Sequence, residues 1–244
     1  MISARGSARY GLLALGLLVC VVGAGRAAPF HLRYDADGTF PEEEGWHREF
    51  SDPTGELQRS ALDGTFHLNT LASPGIYDFY MLSDPRLQPG PDEWLEVNWR
   101  MLTRSADAPN TISDVEVAII NGDQEYAQFF LGPDFVSGPG FPGIDPHYVY
   151  PLDAEVWHEY SFVSADLQSF ELYVDGELAI ASSFVGISWT PGPTVAFGDT
   201  GIGLVSDSLW DFVEVQVVPE PSTVSLLAVL VWLIRGKKRG ERTC

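Results

Sequence analysis

The sequence predicts an all-β fold, an antiparallel β-sandwich, and three observations carry that prediction. Between residues 28 and 218 no apolar pattern keeps the i, i+3, i+4 spacing of a helix for more than about two turns. Short β-branched and aromatic runs recur there instead, separated by Gly, Pro, Asp and Asn. The 24 glycines and 17 prolines are spread along the whole chain, which disfavours a helical bundle.

In chain order the expected strands are 31–34, 65–71, 77–81, 94–102, 115–121, 126–131, 147–150, 157–163, 169–174, 178–182, 194–197 and 209–217. Several alternate cleanly, as a half-buried strand must. Leu95, Val97, Trp99 and Met101 share one face, opposite Glu96, Asn98 and Arg100. Val115, Val117 and Ile119 oppose Asp114 and Glu116, and Phe170, Leu172 and Val174 oppose Glu171 and Tyr173. Asp175-Gly176 joins two runs and signals a type I′ hairpin, because both residues tolerate positive φ. Trp99, Trp157, Phe162 and Trp210 are the expected core aromatics. A domain of this size can bury roughly 70% of its extended surface and so needs no staples. No repeat of solenoid or propeller length is visible.

Charge divides the chain into three. The net charge is −20, but residues 28–218 hold 32 acids against six arginines and no lysine. That acidic middle disfavours nucleic acid as a partner, since phosphate binding needs clustered cations. The two ends are basic and apolar. Residues 1–27 read as a signal peptide: Arg5 and Arg9 precede a short apolar run, and Gly25-Arg26-Ala27 supplies small residues at a cleavage site. Cleavage after Ala24, with Val22 at −3, is the alternative. Cys20 lies in a lipobox-like stretch, but Val19 stands where a small residue is needed.

Residues 218–244 mirror that logic. Val218-Pro219-Glu220-Pro221 precedes an apolar stretch, 222–234, and then Arg235, Lys237, Lys238 and Arg239. Those 13 residues would make about 20 Å of helix, shorter than the ~30 Å hydrocarbon core. The basic cluster would stay cytoplasmic and the acidic domain outside. This tail resembles the PEP-CTERM sorting signal of Gram-negative bacteria, on Pro219, Glu220 and Pro221. The resemblance implies processing by an exosortase at the membrane and release to the cell surface or its exopolysaccharide. An ordinary tail anchor is the lesser reading. Cys20 and Cys244 both lie in the end segments, so the middle folds without disulfides or thiol chemistry.

The middle, 28–217, resembles the concanavalin A-like and laminin-G-like jelly rolls. The likeness rests on 157–162 running into the hairpin strand at 170–176, on Asp63-Gly64 ahead of the long 94–102 strand, and on a closing strand at 209–215 that pairs near the first. It implies fold more than activity. Hydrolases of this type carry alternating carboxylates, and Asp114-Val-Glu116 and Asp211-Phe-Val-Glu214 only approach that pattern. The first lacks a third partner and reads as a solvated strand face; the second puts its acids on opposite faces.

Other motifs are structural. Gly138 to Gly143 formally matches a nucleotide-binding glycine pattern, but prolines bar it from opening a helix, so it is a loop. Asp35-Ala-Asp37-Gly38 departs from calcium-loop order and reads as a turn, with structural calcium the lesser alternative. Glu42, Glu43 and Glu44 read as an exposed loop. His31, His47, His67, His147 and His158 show no zinc spacing, and His67 and His158 fit strands. No catalytic, cofactor or metal residue is assigned. The expectation is an exported, non-catalytic domain that binds glycan or matrix or serves a structural role. A polysaccharide-cleaving hydrolase and a calcium-dependent lectin on the same fold are the alternatives. Tyr and Trp are the expected sugar platforms, and the sequence does not single any of them out.

Overall fold

The computed structural model describes residues 30–52, 57–71, 76–106, 113, 115–140, 146–153, 155–188, 190–199 and 206–219. Every strand pairing in it is antiparallel, and the strands form two sheets. The strands are β1 (His31–Asp35), β2 (His47–Ser51), β3 (Gln58–Leu62), β4 (Thr65–Asn69), β5 (Tyr77–Ser83), β6 (Glu93–Ala106), β7 (Val115–Ile120), β8 (Tyr126–Leu131), β9 (Phe135–Gly138), β10 (Tyr148–Pro151), β11 (His158–Ser164), β12 (Ser169–Val174), β13 (Glu177–Ser183), β14 (Thr194–Asp199) and β15 (Ser206–Pro219). Eight form one sheet, ordered β13-β12-β11-β6-β15-β4-β3, with β1 also paired to β15. Seven form the other, ordered β10-β9-β8-β7-β14-β5-β2.

Alternation decides which side of each strand enters the core. Leu95, Val97, Trp99 and Met101 are buried from β6, as are Phe170, Leu172 and Val174 from β12 and Val115, Val117 and Ile119 from β7. The inward faces of the two sheets meet in one cluster rich in rings. Phe197 lies at its densest point, with the rings of Trp46, Trp210, Tyr80 and Tyr34 at 4.9, 5.0, 5.4 and 6.3 Å. Trp99, Phe162 and Trp210 join the core as expected. Trp157 does not: it precedes β11 and lies on the outer side, under the Arg100 guanidinium at 5.2 Å.

The hairpin at Asp175-Gly176 forms with both residues at positive φ, 50° and 82°, between Val174 and its partner Glu177. An equivalent turn at Asp63-Gly64 closes β3 onto β4. β15 pairs with β1, as the closing strand was expected to do, and runs on to Pro219, opposite Glu93. Pro219 is thus the last residue of a strand, two positions past the expected domain end at 217. Glu220 and Pro221, the 222–234 stretch and residues 1–27 lie outside the described residues. Among the described residues no helix is long and apolar enough to cross a membrane.

Three strands were not expected: β2, β3 and β9. β2 (HREFS) and β3 (QRSAL) contain no β-branched residue, and each ends its sheet, where polar side chains reach water. β9 is four residues long and ends in Gly138. That glycine is required, because a Cβ there would sit 2.5 Å from the Gln128 carbonyl oxygen. The 42–44 acids also differ from expectation. They form a 3-10 turn, Pro41–Glu44, in which Glu43 accepts from the Phe40 amide at 3.0 Å and Glu42 pairs with Arg59 at 2.7 Å.

Candidate functional site

The outward face of the seven-stranded sheet carries a groove of about 280 Å³, and the register explains its shape. One cross-strand row reads Gln128, Ala118, Ala196, Met81 over β8, β7, β14 and β5. The next reads Phe130, Glu116, Gly198, Phe79. Small residues on the two central strands thus make a floor, and long side chains on β5 and β8 make the walls. Gly198 cannot be larger: a Cβ would lie 2.5 Å from the Asp78 carbonyl oxygen.

One end of the groove is built by Tyr126 and a strap of chain. Tyr126 and Val185 exchange backbone hydrogen bonds of 2.9 and 2.8 Å, and the Ser188 amide donates to the Gln124 carbonyl at 2.6 Å. Gly186 lies so close to the Tyr126 ring that a Cβ would approach it to 2.4 Å. The strap therefore backs the ring and carries Ile187, 78% exposed, to the rim beside Ser188 and Thr190.

Glu116 sits at the floor and is only 7% exposed. The expectation of a solvated face fails here because the strap and the β5 and β8 side chains line the same depression. The Gln128 amide donates to the Glu116 carboxyl. Its proposed companion, Asp114, lies outside the described residues. Glycoside cleavage needs two carboxyls roughly 5–10 Å apart, and Glu116 is the acid among the described residues lining the groove.

The second acidic motif is corrected differently. Register shifts between Trp210 and Phe212, so Asp211 occupies a bulge on β15. Trp210 and Val213 both point inward, and Asp211 and Glu214 both reach the outer surface instead of opposite faces. Each is neutralised: Asp211 binds Arg100 at 2.7 Å, while Glu214 meets His31 at 2.7 Å and Arg33 at 3.5 Å.

This pattern extends to five of the six arginines among the described residues. Arg33, Arg48, Arg59, Arg86 and Arg100 pair with Asp35, Asp78, Glu42, Asp84 and Asp211 at 2.6–2.7 Å. Each also covers an aromatic ring: Phe212, Phe50, Phe40, Phe30 and Trp157 respectively, at 4.0–5.2 Å. Arg104, the sixth, is exposed on β6 of the eight-stranded sheet.

The most buried of these pairs, within the seven-stranded sheet, anchors a network that reaches the other sheet. Arg48 donates from Nε and Nη2 to Asp78 at 2.6 and 2.9 Å; Tyr80 donates to the same carboxylate, and Arg59 on β3 donates to the Tyr80 hydroxyl. Burial alone would lower the Arg48 guanidinium, but its bonds to Asp78 outweigh that and hold it above its ordinary value. Burial pushes the Tyr80 phenol well up, with Asp78 adding to it, so Tyr80 stays a donor. A second buried cluster lies alongside, where the hydroxyls of Thr70 and Ser206 donate to Asp199, the cross-strand neighbour of Asp78.

The remaining motifs hold structure. His158 reaches Asp175 and the Asp153 carbonyl at 2.7 and 2.9 Å, His67 reaches Asp207 at 2.6 Å, and His147 reaches the Gly140 carbonyl at 2.8 Å. In the Asp35–Gly38 turn, Asp35 pairs with Arg33 and Asp37 accepts from Thr39. Among the described residues no three His, Cys, Asp or Glu side chains converge as a metal site would require.

Comparison with known proteins speaks to the fold. No protein-family model and no curated protein matches the sequence. Among solved structures, a carbohydrate esterase of the Shiga toxin-encoding bacteriophage phi24B superposes with a TM-score of 0.58 at 14% identity, covering 78% of this chain and all of that one. A Shewanella oneidensis MR-1 protein of unknown function superposes at 0.52 with 10% identity, over 91% of this chain and 98% of that one. At such identities the likeness establishes a shared β-sandwich and nothing about activity.

Proposed function

We propose that the chain is an exported, non-catalytic jelly roll of the concanavalin A-like type that binds glycan in the groove of its seven-stranded sheet. The observation that carries this reading is the groove itself: a floor of Ala118 and Ala196, an aromatic wall at Tyr126 and Phe79, and a buried carboxyl–amide pair, Glu116 and Gln128. A sugar ring offers one apolar face and a rim of hydroxyls. Aromatic and aliphatic walls accept the face, and a fixed acceptor on the floor accepts the hydroxyls. The phage neighbour's description as a carbohydrate esterase is a parallel at the level of fold alone.

Export and delivery rest on the two ends of the sequence. The signal-peptide pattern of 1–27 and the tail with Pro219, Glu220 and Pro221 support secretion, passage through an exosortase and arrival at the cell surface or its polysaccharide layer. Mass spectrometry of surface-released protein should then find the C-terminus near Pro221, and recovery of intact Cys244 would contradict the sorting step. Binding is tested by titrating surface polysaccharide into wild type and Tyr126→Ala. Loss of the ring is expected to weaken binding about tenfold, equivalent to about 1.4 kcal/mol. Unchanged affinity, or release of reducing sugar by the wild-type protein, would count against a binding role at this groove.

A further inference from the structure

We infer that the groove selects glycans whose polar groups are hydroxyls and amines, and rejects those carrying carboxylate, sulfate or phosphate. This rests on the groove being the glycan site. The first ground is the supply of cations. Residues 28–218 contain no lysine and six arginines, and five of these are committed twice over, to a carboxylate and to an aromatic face. Freeing one to meet an anion would strip a carboxylate of its partner, and for Arg48 that carboxylate is fully buried. Arg104 belongs to the opposite sheet. No Lys, Arg or His is among the described residues lining the groove.

The second ground is the polarity of the floor. Glu116 is the acid among the described residues lining the groove, and its neighbour Gln128 donates an amide hydrogen to it. A sugar hydroxyl or ammonium can donate to that carboxyl. A uronate or sulfate would bring like charge against it at low exposure, where screening by water is weak. The field of the whole domain, 32 acids against six arginines, acts in the same direction at longer range.

The test compares three oligosaccharides of matched length with the full-length protein: a neutral β-glucan, chitosan and oligogalacturonate. The neutral and amino oligomers are expected to bind, and oligogalacturonate to bind at least about tenfold more weakly. That gap should narrow with added salt, as charge repulsion is screened, whereas exclusion by shape alone would not respond. It should also narrow in Glu116→Gln, which keeps the shape and removes the charge; the wild-type comparison stands even if that variant folds poorly. Oligogalacturonate binding as tightly as the others would overturn the selectivity and leave the glycan site intact. Failure of all three to bind would overturn both.

Discussion

Asp78→Ala is expected to destabilise the protein by about 3–5 kcal/mol, read from the midpoint of urea unfolding. Asp78 has no solvent exposure, and it satisfies three donors: two from Arg48 and the hydroxyl of Tyr80. Truncation leaves a guanidinium, largely shielded from water, with no counter-charge. A loss of that size is a large share of the 5–15 kcal/mol by which domains are ordinarily stable. Arg48→Met should cost a comparable amount, because it strands the carboxylate instead. The double variant Arg48→Met/Asp78→Leu should cost clearly less than the sum, since replacing a buried ion pair with apolar side chains is often close to neutral. Strict additivity would mean that the pair does not act as a unit.

Phe197→Ala should cost about 3–5 kcal/mol by a different mechanism. Its ring touches four others, contributed by both sheets and by the segment around Trp46, so deletion opens a void that rigid aromatic neighbours cannot close. Phe197→Leu keeps most of the apolar volume and should recover more than half of the loss. Tyr80 belongs both to this cluster and to the Asp78 network. Phe197→Ala and Asp78→Ala are therefore expected to be non-additive when combined.

How much of this was legible in the sequence depended on whether the signal was local. Strict alternation along 95–101 and 170–174 reports a face in contact with the core, and those residues are buried. Asp175-Gly176 encodes its own turn. Edge strands β2 and β3 gave no such signal, because half of their hydrogen-bonding capacity and most of their side chains face water. The bulge at Asp211 inverted the facing of one acid, and nothing in the spacing of Asp211 and Glu214 encodes an extra residue in the ladder.

The groove was illegible for a related reason. Ala118, Ala196 and Gly198 are unremarkable one at a time, and only the register of β7 against β14 places them side by side. Glu116 belonged to a recognised motif, yet the strap beside Tyr126 that lines the same groove comes from about 70 residues further along the chain. Pairing across such a separation is set by tertiary packing, which periodicity cannot report.

The most direct measurement is the crystal structure of the protein soaked with a neutral or amino oligosaccharide. Electron density for sugar is expected across Ala118 and Ala196, with one ring against Tyr126 and a hydroxyl or amine on Glu116. Density on the outer face of the eight-stranded sheet, among the paired arginines, with the groove empty, would contradict the assignment.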